Sequence, residues 1–157
     1  LVRIDAALEP SENPSRLGRY RFTLAHEIGH WRLHRSYYRE DPGQAALFDG
    51  RGQPAFVCRT GDKKLPVEWQ ADTYASYLLM PKSLLVAAWQ EWRGNLGPVI
   101  LADLPPVTVT DGRDPADATL DRFSKPLAER FDVSAEAMRI RLEKLGLLLR
   151  ERPNTLF

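Results

Sequence analysis

The sequence predicts an α+β fold: a mainly helical core with a small β-sheet, followed by a C-terminal pair of helices. Three observations lead there. Two windows, about 20–35 and 67–80, carry polar residues at four-residue helical spacing and contain no proline. Residues 118–157 read as helix, turn, helix, with Ser134 placed to cap the second helix. Short apolar or β-branched runs bounded by Pro, Gly and Asp supply the strands.

Taken in order, Leu1 to Ile4 reads as a short strand, followed by a turn-rich segment with Pro10 and Pro14. In the first long helix, Leu24, Ile28 and Trp31 follow the i, i+4, i+7 rule and form an apolar stripe. The stretch from Tyr37 to Pro66 is punctuated by Gly, Pro and Asp. Its apolar run, Ala55-Phe56-Val57-Cys58, suits an edge strand or a substrate-binding loop. In the second helix Glu68, Asp72 and Ala75 share one face and Ala71 borders it; the alanines allow close approach to another helix. Pro81 fits a first helical position, opening a helix to Trp92 that Gly94 and Gly97 end.

Residues 93 to 117 are the least regular, broken by Pro98, Pro105, Pro106 and Pro115, with Val107-Thr108-Val109-Thr110 as a strand. Asp111, Asp114 and Asp117 lack EF-hand spacing and read as a solvated loop. The first C-terminal helix spans 118 to 131, with Pro126 as a kink or boundary. The second runs to Lys144 and stops at Gly146. Leu127, Phe131, Met138, Leu142 and Leu145 are expected to pack this pair on the core, and Trp69, Trp89 and Trp92 to be core or cleft wall.

A length of 157 residues suits one domain with a real core. Residues 1–117 are expected to form the catalytic part, and 118–157 a helical extension packed on it in the same domain. A formal charge of +1 gives no strong field to draw nucleic acid, so nucleic-acid binding is not expected. A single cysteine excludes an intramolecular disulfide and favours a reducing, cytoplasmic compartment. No apolar run approaches the ~20 residues that cross a bilayer, so no membrane partner is expected. The chain opens at Leu1 rather than Met, as an excised domain or processed product would.

The chemistry concentrates in His26-Glu27-Ile28-Gly29-His30, the HExxH pattern of zinc-dependent peptidases. Residues four apart on a helix lie about 40° and about 6 Å apart, so both imidazoles can grip one ion. Glu27, turned roughly 100° from His26, can reach a water without being a ligand. A catalytic zinc needs three protein ligands and an open position. Glu68 is the best third ligand. Asp72, one turn on, would accept the free ring N–H of a ligand histidine. His34 lies about 12 Å along the axis from His26, too far to share the ion, and reads as a cationic helix end. Cys58 reads as a small buried residue. Two histidines and one carboxylate favour Zn²⁺, with Mn²⁺ or Fe²⁺ as alternatives.

The sequence resembles the ImmA/IrrE metallopeptidases. Three blocks carry the likeness: Arg21-Phe22-Thr23-Leu24-Ala25-His26-Glu27-Ile28-Gly29-His30 with His34; Glu68-Trp69-Gln70-Ala71-Asp72 with Tyr77-Leu78-Leu79-Met80-Pro81; and Leu127-Ala128-Glu129-Arg130-Phe131-Asp132-Val133-Ser134 continuing to Arg141-Leu142-Glu143-Lys144-Leu145-Gly146. The resemblance implies a zincin-like core and a gluzincin-like site, with His26, His30 and Glu68 as ligands and Glu27 as general base. It also implies a bacterial protease that cleaves a helix-turn-helix repressor and so controls stress-response or mobile-element genes.

The function expected is therefore a zinc-dependent endopeptidase. Two alternatives stand beside it: a non-proteolytic metal-binding sensor, and a DNA-binding regulator using the C-terminal helices, whose second member carries Arg139, Arg141 and Lys144. The oxyanion donor is left unassigned among Tyr37, Tyr38, Tyr74 and Tyr77.

Overall fold

The computed structural model describes residues 4–11, 14–35 and 66–153. The elements are α1 (Leu17–Leu33), α2 (Pro66–Leu79), α3 (Lys82–Arg93), β1 (Val99–Ile100), α4 (Pro115–Phe131), α5 (Ala135–Lys144) and β2 (Leu148–Leu149). Short 3-10 turns cover Ala6–Leu8, Pro14–Arg16 and Leu101–Asp103. The chain is mostly helical with one small sheet, as the α+β reading expects. Among the described residues no helix is long and apolar enough to cross a membrane.

The core lies where α3, α4, α5 and the sheet meet. Met80, Leu85, Trp89, Leu120, Leu127, Met138, Leu142 and Leu148 are all fully buried there, with Phe131 and Leu145 packed against them. Buried side chains of this size each contribute roughly 1.5–3 kcal/mol. Trp89 is central, meeting Trp92 and Phe123 edge-on. Trp69 is not core: it stands 57 % exposed on the outer side of α2, walling a shallow groove with Leu33, Tyr74 and Tyr77.

The sheet is not where β-propensity put it. Val107–Thr110 forms no strand, because Pro105 and Pro106 have no N–H to donate and the Val107 N–H is taken by Thr119 Oγ1 at 3.0 Å. The two strands are instead Val99–Ile100 and Leu148–Leu149, parallel, with Val99 opposite Leu148. Gly146, at φ +69°, turns the chain out of α5, and the Val99 N–H then donates to Leu147 O. The strand expected at Leu1–Ile4 falls largely outside the described residues, and Ile4 itself is not in a strand. The run Ala55–Cys58 lies wholly outside them.

Helix α4 starts three residues earlier than expected. Asp114 caps it by accepting from the Ala116 N–H at 2.8 Å, and Pro115 takes a first-turn position where no N–H is needed. Pro126 is carried inside the helix on its exposed face. Ser134 caps α5, as its position predicts.

Two contacts tie the α4–α5 pair to the first two helices. At one end, Arg21 of α1 donates to Phe131 O and pairs with the Asp132 carboxylate, each at 3.0 Å. At the other, Arg141 Nε donates to Met80 O at 3.1 Å, and its guanidinium lies 4.3 Å from the Tyr77 ring centroid. Arg139 is buried too, held by Asp121 and Glu143. Two of the three basic side chains that suggested a DNA-reading helix therefore point inward.

Candidate metal centre

The site forms where α1 crosses α2. Helix α1 runs unbroken from Leu17 to Leu33 and places His26 and His30 one turn apart on the face toward α2. Small residues from both helices line the crossing. Ala25, Ala71 and Ala75 are buried, and a β carbon on Gly29 would meet Ala71 backbone atoms at 3.2 Å. The two backbones therefore come close enough for short side chains to meet across the interface.

His26, His30 and Glu68 converge. Each offers a donor atom, and these atoms all lie within 4.8 Å of one another. His26 Nε2 is 3.3 Å from Glu68 Oε2, and His30 Nε2 is 3.3 Å from Glu68 Oε1. The two Nε2 atoms are 2.9 Å apart. Bonds of ~2.0–2.1 Å to a tetrahedral ion would separate its ligands by about 3.3 Å, so the donor set fits a divalent cation closely.

Asp72 lies behind this group, with Oδ1 at 2.7 Å from His26 Nδ1. A carboxylate there favours a proton on Nδ1 and leaves the Nε2 lone pair facing Glu68 and His30. Burial pulls the His30 imidazole below its ordinary pKa, opposed by Glu68 and reinforced by His26. A neutral imidazole is the form that can ligate a metal. Glu27 follows His26 directly and is half-buried.

His34 ends α1, as its position predicts, but it is buried there, only 3 % exposed. Its Nδ1 lies 3.2 Å from His30 Nδ1, and its Nε2 lies 2.7 Å from Gln70 Oε1. The four-residue step from His30 was a visible signal, but Gln70, on another helix, was not.

Of the tyrosines considered as oxyanion donors, Tyr37 and Tyr38 lie outside the described residues. Tyr77 is exposed and stacked on Arg141, roughly 180° around α2 from Glu68. Tyr74 packs against Gly29.

A family model described as the IrrE N-terminal-like domain, Peptidase_M78, matches residues 11–143. Comparison with curated proteins and with solved structures gives no match. The matched span contains the whole His26, His30, Glu68 group and both helices that build it, and it covers most of the chain. The protein thus belongs to the IrrE N-terminal-like M78 peptidase family and is of metallopeptidase type.

Proposed function

We propose that the protein is a zinc-dependent endopeptidase, with His26, His30 and Glu68 as metal ligands, Glu27 as general base and Asp72 as the orienting partner of His26. The observation that carries this reading is the convergence of two Nε2 atoms and one carboxylate on a single point. Two imidazole nitrogens and a carboxylate oxygen at that spacing can all face one cation, whereas a proton between any two of them satisfies only that pair. The family adds that the reaction is peptide hydrolysis.

When bound, the metal supplies Lewis-acid polarisation of a carbonyl and lowers the pKa of water. The protein's own side chains do the rest. Glu27 takes a proton from the attacking water and returns it to the leaving amine. Asp72 holds the Nδ1 proton of His26, so that its Nε2 stays a ligand atom. Zinc suits two imidazoles and one carboxylate, while Mn²⁺ or Fe²⁺ accept the same set. The substrate class we propose is a helix-turn-helix repressor, and the compartment the cytoplasm, in keeping with a single cysteine.

Co-expression with the helix-turn-helix regulator encoded nearest to this protein, beside a Glu27→Gln control, tests the reading. A discrete cut in the regulator with the unaltered protein alone is the expected result. Glu27→Gln should keep stoichiometric metal and lose turnover by roughly 10²–10⁴-fold. Near-normal turnover in that variant would remove Glu27 from the mechanism.

A further inference from the structure

We propose that the uncharged face of α2 bearing Trp69, Thr73 and Tyr77 is a docking groove for an acidic amphipathic helix of the protein substrate. That the partner is the substrate rests on the endopeptidase reading; the groove and its chemistry do not.

Two helices build the groove. Trp69, Gln70, Thr73, Tyr74 and Tyr77 of α2 line it, and Leu33, the last residue of α1, completes the lining of a shallow hollow of about 480 Å³. Leu33, Trp69 and Tyr77 each stay more than half exposed. Single exposed apolar side chains are ordinary, but several in one groove mark a contact surface. Trp69, Thr73 and Tyr77 recur every four residues and so form a stripe, roughly 12 Å from first to last. That is two helical turns, which matches a partner helix presenting apolar residues at i, i+4 and i+7. Thr73 and Tyr77 are turned roughly 140–180° around α2 from Glu68. The groove is therefore a second place to hold a protein, beside the metal centre and not within it.

Charge selects the partner. From Trp69 to Met80 the sequence carries one charged residue, Asp72, and its carboxylate is turned to His26. The charges at the rim are cationic. Arg32 and Arg35 are exposed on either side of Leu33 and His34, and the Arg141 guanidinium lies 4.3 Å from the Tyr77 ring centroid. Arg35 and Arg141 face the rings of Trp31 and Tyr77 rather than a carboxylate of the described residues. A helix flanked by Glu or Asp meets such a rim favourably. A second copy of this chain would set the same cationic rim against itself. Single-stranded nucleic acid needs a track of exposed cations for its phosphates, and Arg141 is only 5 % exposed.

The test titrates the full-length protein, unaltered and as Glu27→Gln to keep the probe whole, with two fluorescent synthetic helices. Both carry Leu at i, i+4 and i+7; one has Glu at the flanking positions and the other Lys. Fluorescence anisotropy should give a Kd about 10-fold lower or better for the Glu helix, with the difference shrinking as salt rises. Trp69→Ala and Leu33→Asp, both at exposed positions, should each weaken the Glu helix about 10-fold or more, with a melt on each variant as the check of folding. Leu33→Lys, which loses the same apolar contact but keeps the rim cationic, should weaken it less than Leu33→Asp. Equal affinity for the two helices overturns the proposal. So does unchanged affinity in Trp69→Ala, displacement of the Glu helix by single-stranded DNA, or a dimer in sedimentation that Trp69→Ala dissolves. Binding of neither helix, the result if residues 36–65 fill the groove themselves, overturns it too. A regulator left uncut in co-expression ends the endopeptidase reading, while the peptide titration still decides the groove.

Discussion

Gly29 lies against Ala71 so closely that a β carbon there would meet the Ala71 Cα and carbonyl oxygen at 3.2 Å. These are backbone atoms, so any relief must move α2 as a body. Gly29→Val would set two methyl groups into this contact. We expect a loss of about 1–3 kcal/mol in urea unfolding, as for other overpacked interiors. We also expect weaker zinc binding, since Glu68 would be carried away from His26 and His30. A variant of unchanged stability and metal affinity would show that the crossing is looser than its geometry.

The short contact from Asp72 to His26 predicts a second effect. Asp72→Asn keeps the shape but can present an NH₂ group to Nδ1, favouring the wrong ring tautomer. Zinc affinity should fall about 10–100-fold with little change in thermal stability. Chelator competition and a melt on the same sample separate these outcomes.

Arg139 tests the C-terminal pair. It is 7 % exposed and reaches Asp121 at 2.7 Å, Glu143 at 3.2 Å and Asp117 at 3.5 Å. Burial alone would lower its pKa, but the Asp121 hydrogen bond and the surrounding carboxylates raise it, so it stays charged. Arg139→Ala would take the guanidinium from Asp121 and leave Asp117 and Glu143 to Arg150. A destabilisation of about 3–5 kcal/mol is expected from denaturant unfolding. A loss below 1 kcal/mol would mean that solvent already screens the cluster.

Acid stability should carry the mark of Asp117. Its hydrogen bond with Arg150 holds the carboxyl below its ordinary pKa against a slight burial penalty, aided by the charges of Arg139 and Arg150. A carboxyl depressed in the folded state contributes stability that is complete above its unfolded pKa of about 3.9 and is lost as pH falls through the lower folded value. Unfolding free energy should therefore decline below about pH 4, and Asp117→Asn should flatten part of that slope. Equal slopes for the two proteins would assign the acid sensitivity elsewhere.

The sequence by itself determined the parts of this protein that depend on local spacing. HExxH within an unbroken helical window puts two imidazoles on one face, and Glu68 and Asp72 on another helix repeat that four-residue step. Ser134 and Gly146 mark the ends of α5 through caps that involve only nearby backbone. What only the tertiary structure decided is everything that needs two distant segments to meet. β-propensity at Val107–Thr110 lost to a neighbouring Thr119 hydroxyl and two prolines, while Val99 and Leu148, 49 positions apart, formed the sheet. Arg139 and Arg141 looked like surface charge until carboxylates and a main-chain carbonyl from other elements surrounded them. His34 is the helix end its position predicts, but only the docking of α2 brings Gln70 to its ring. Covalent neighbours fix the direction in which a side chain leaves its helix; which partner waits there depends on how the helices dock.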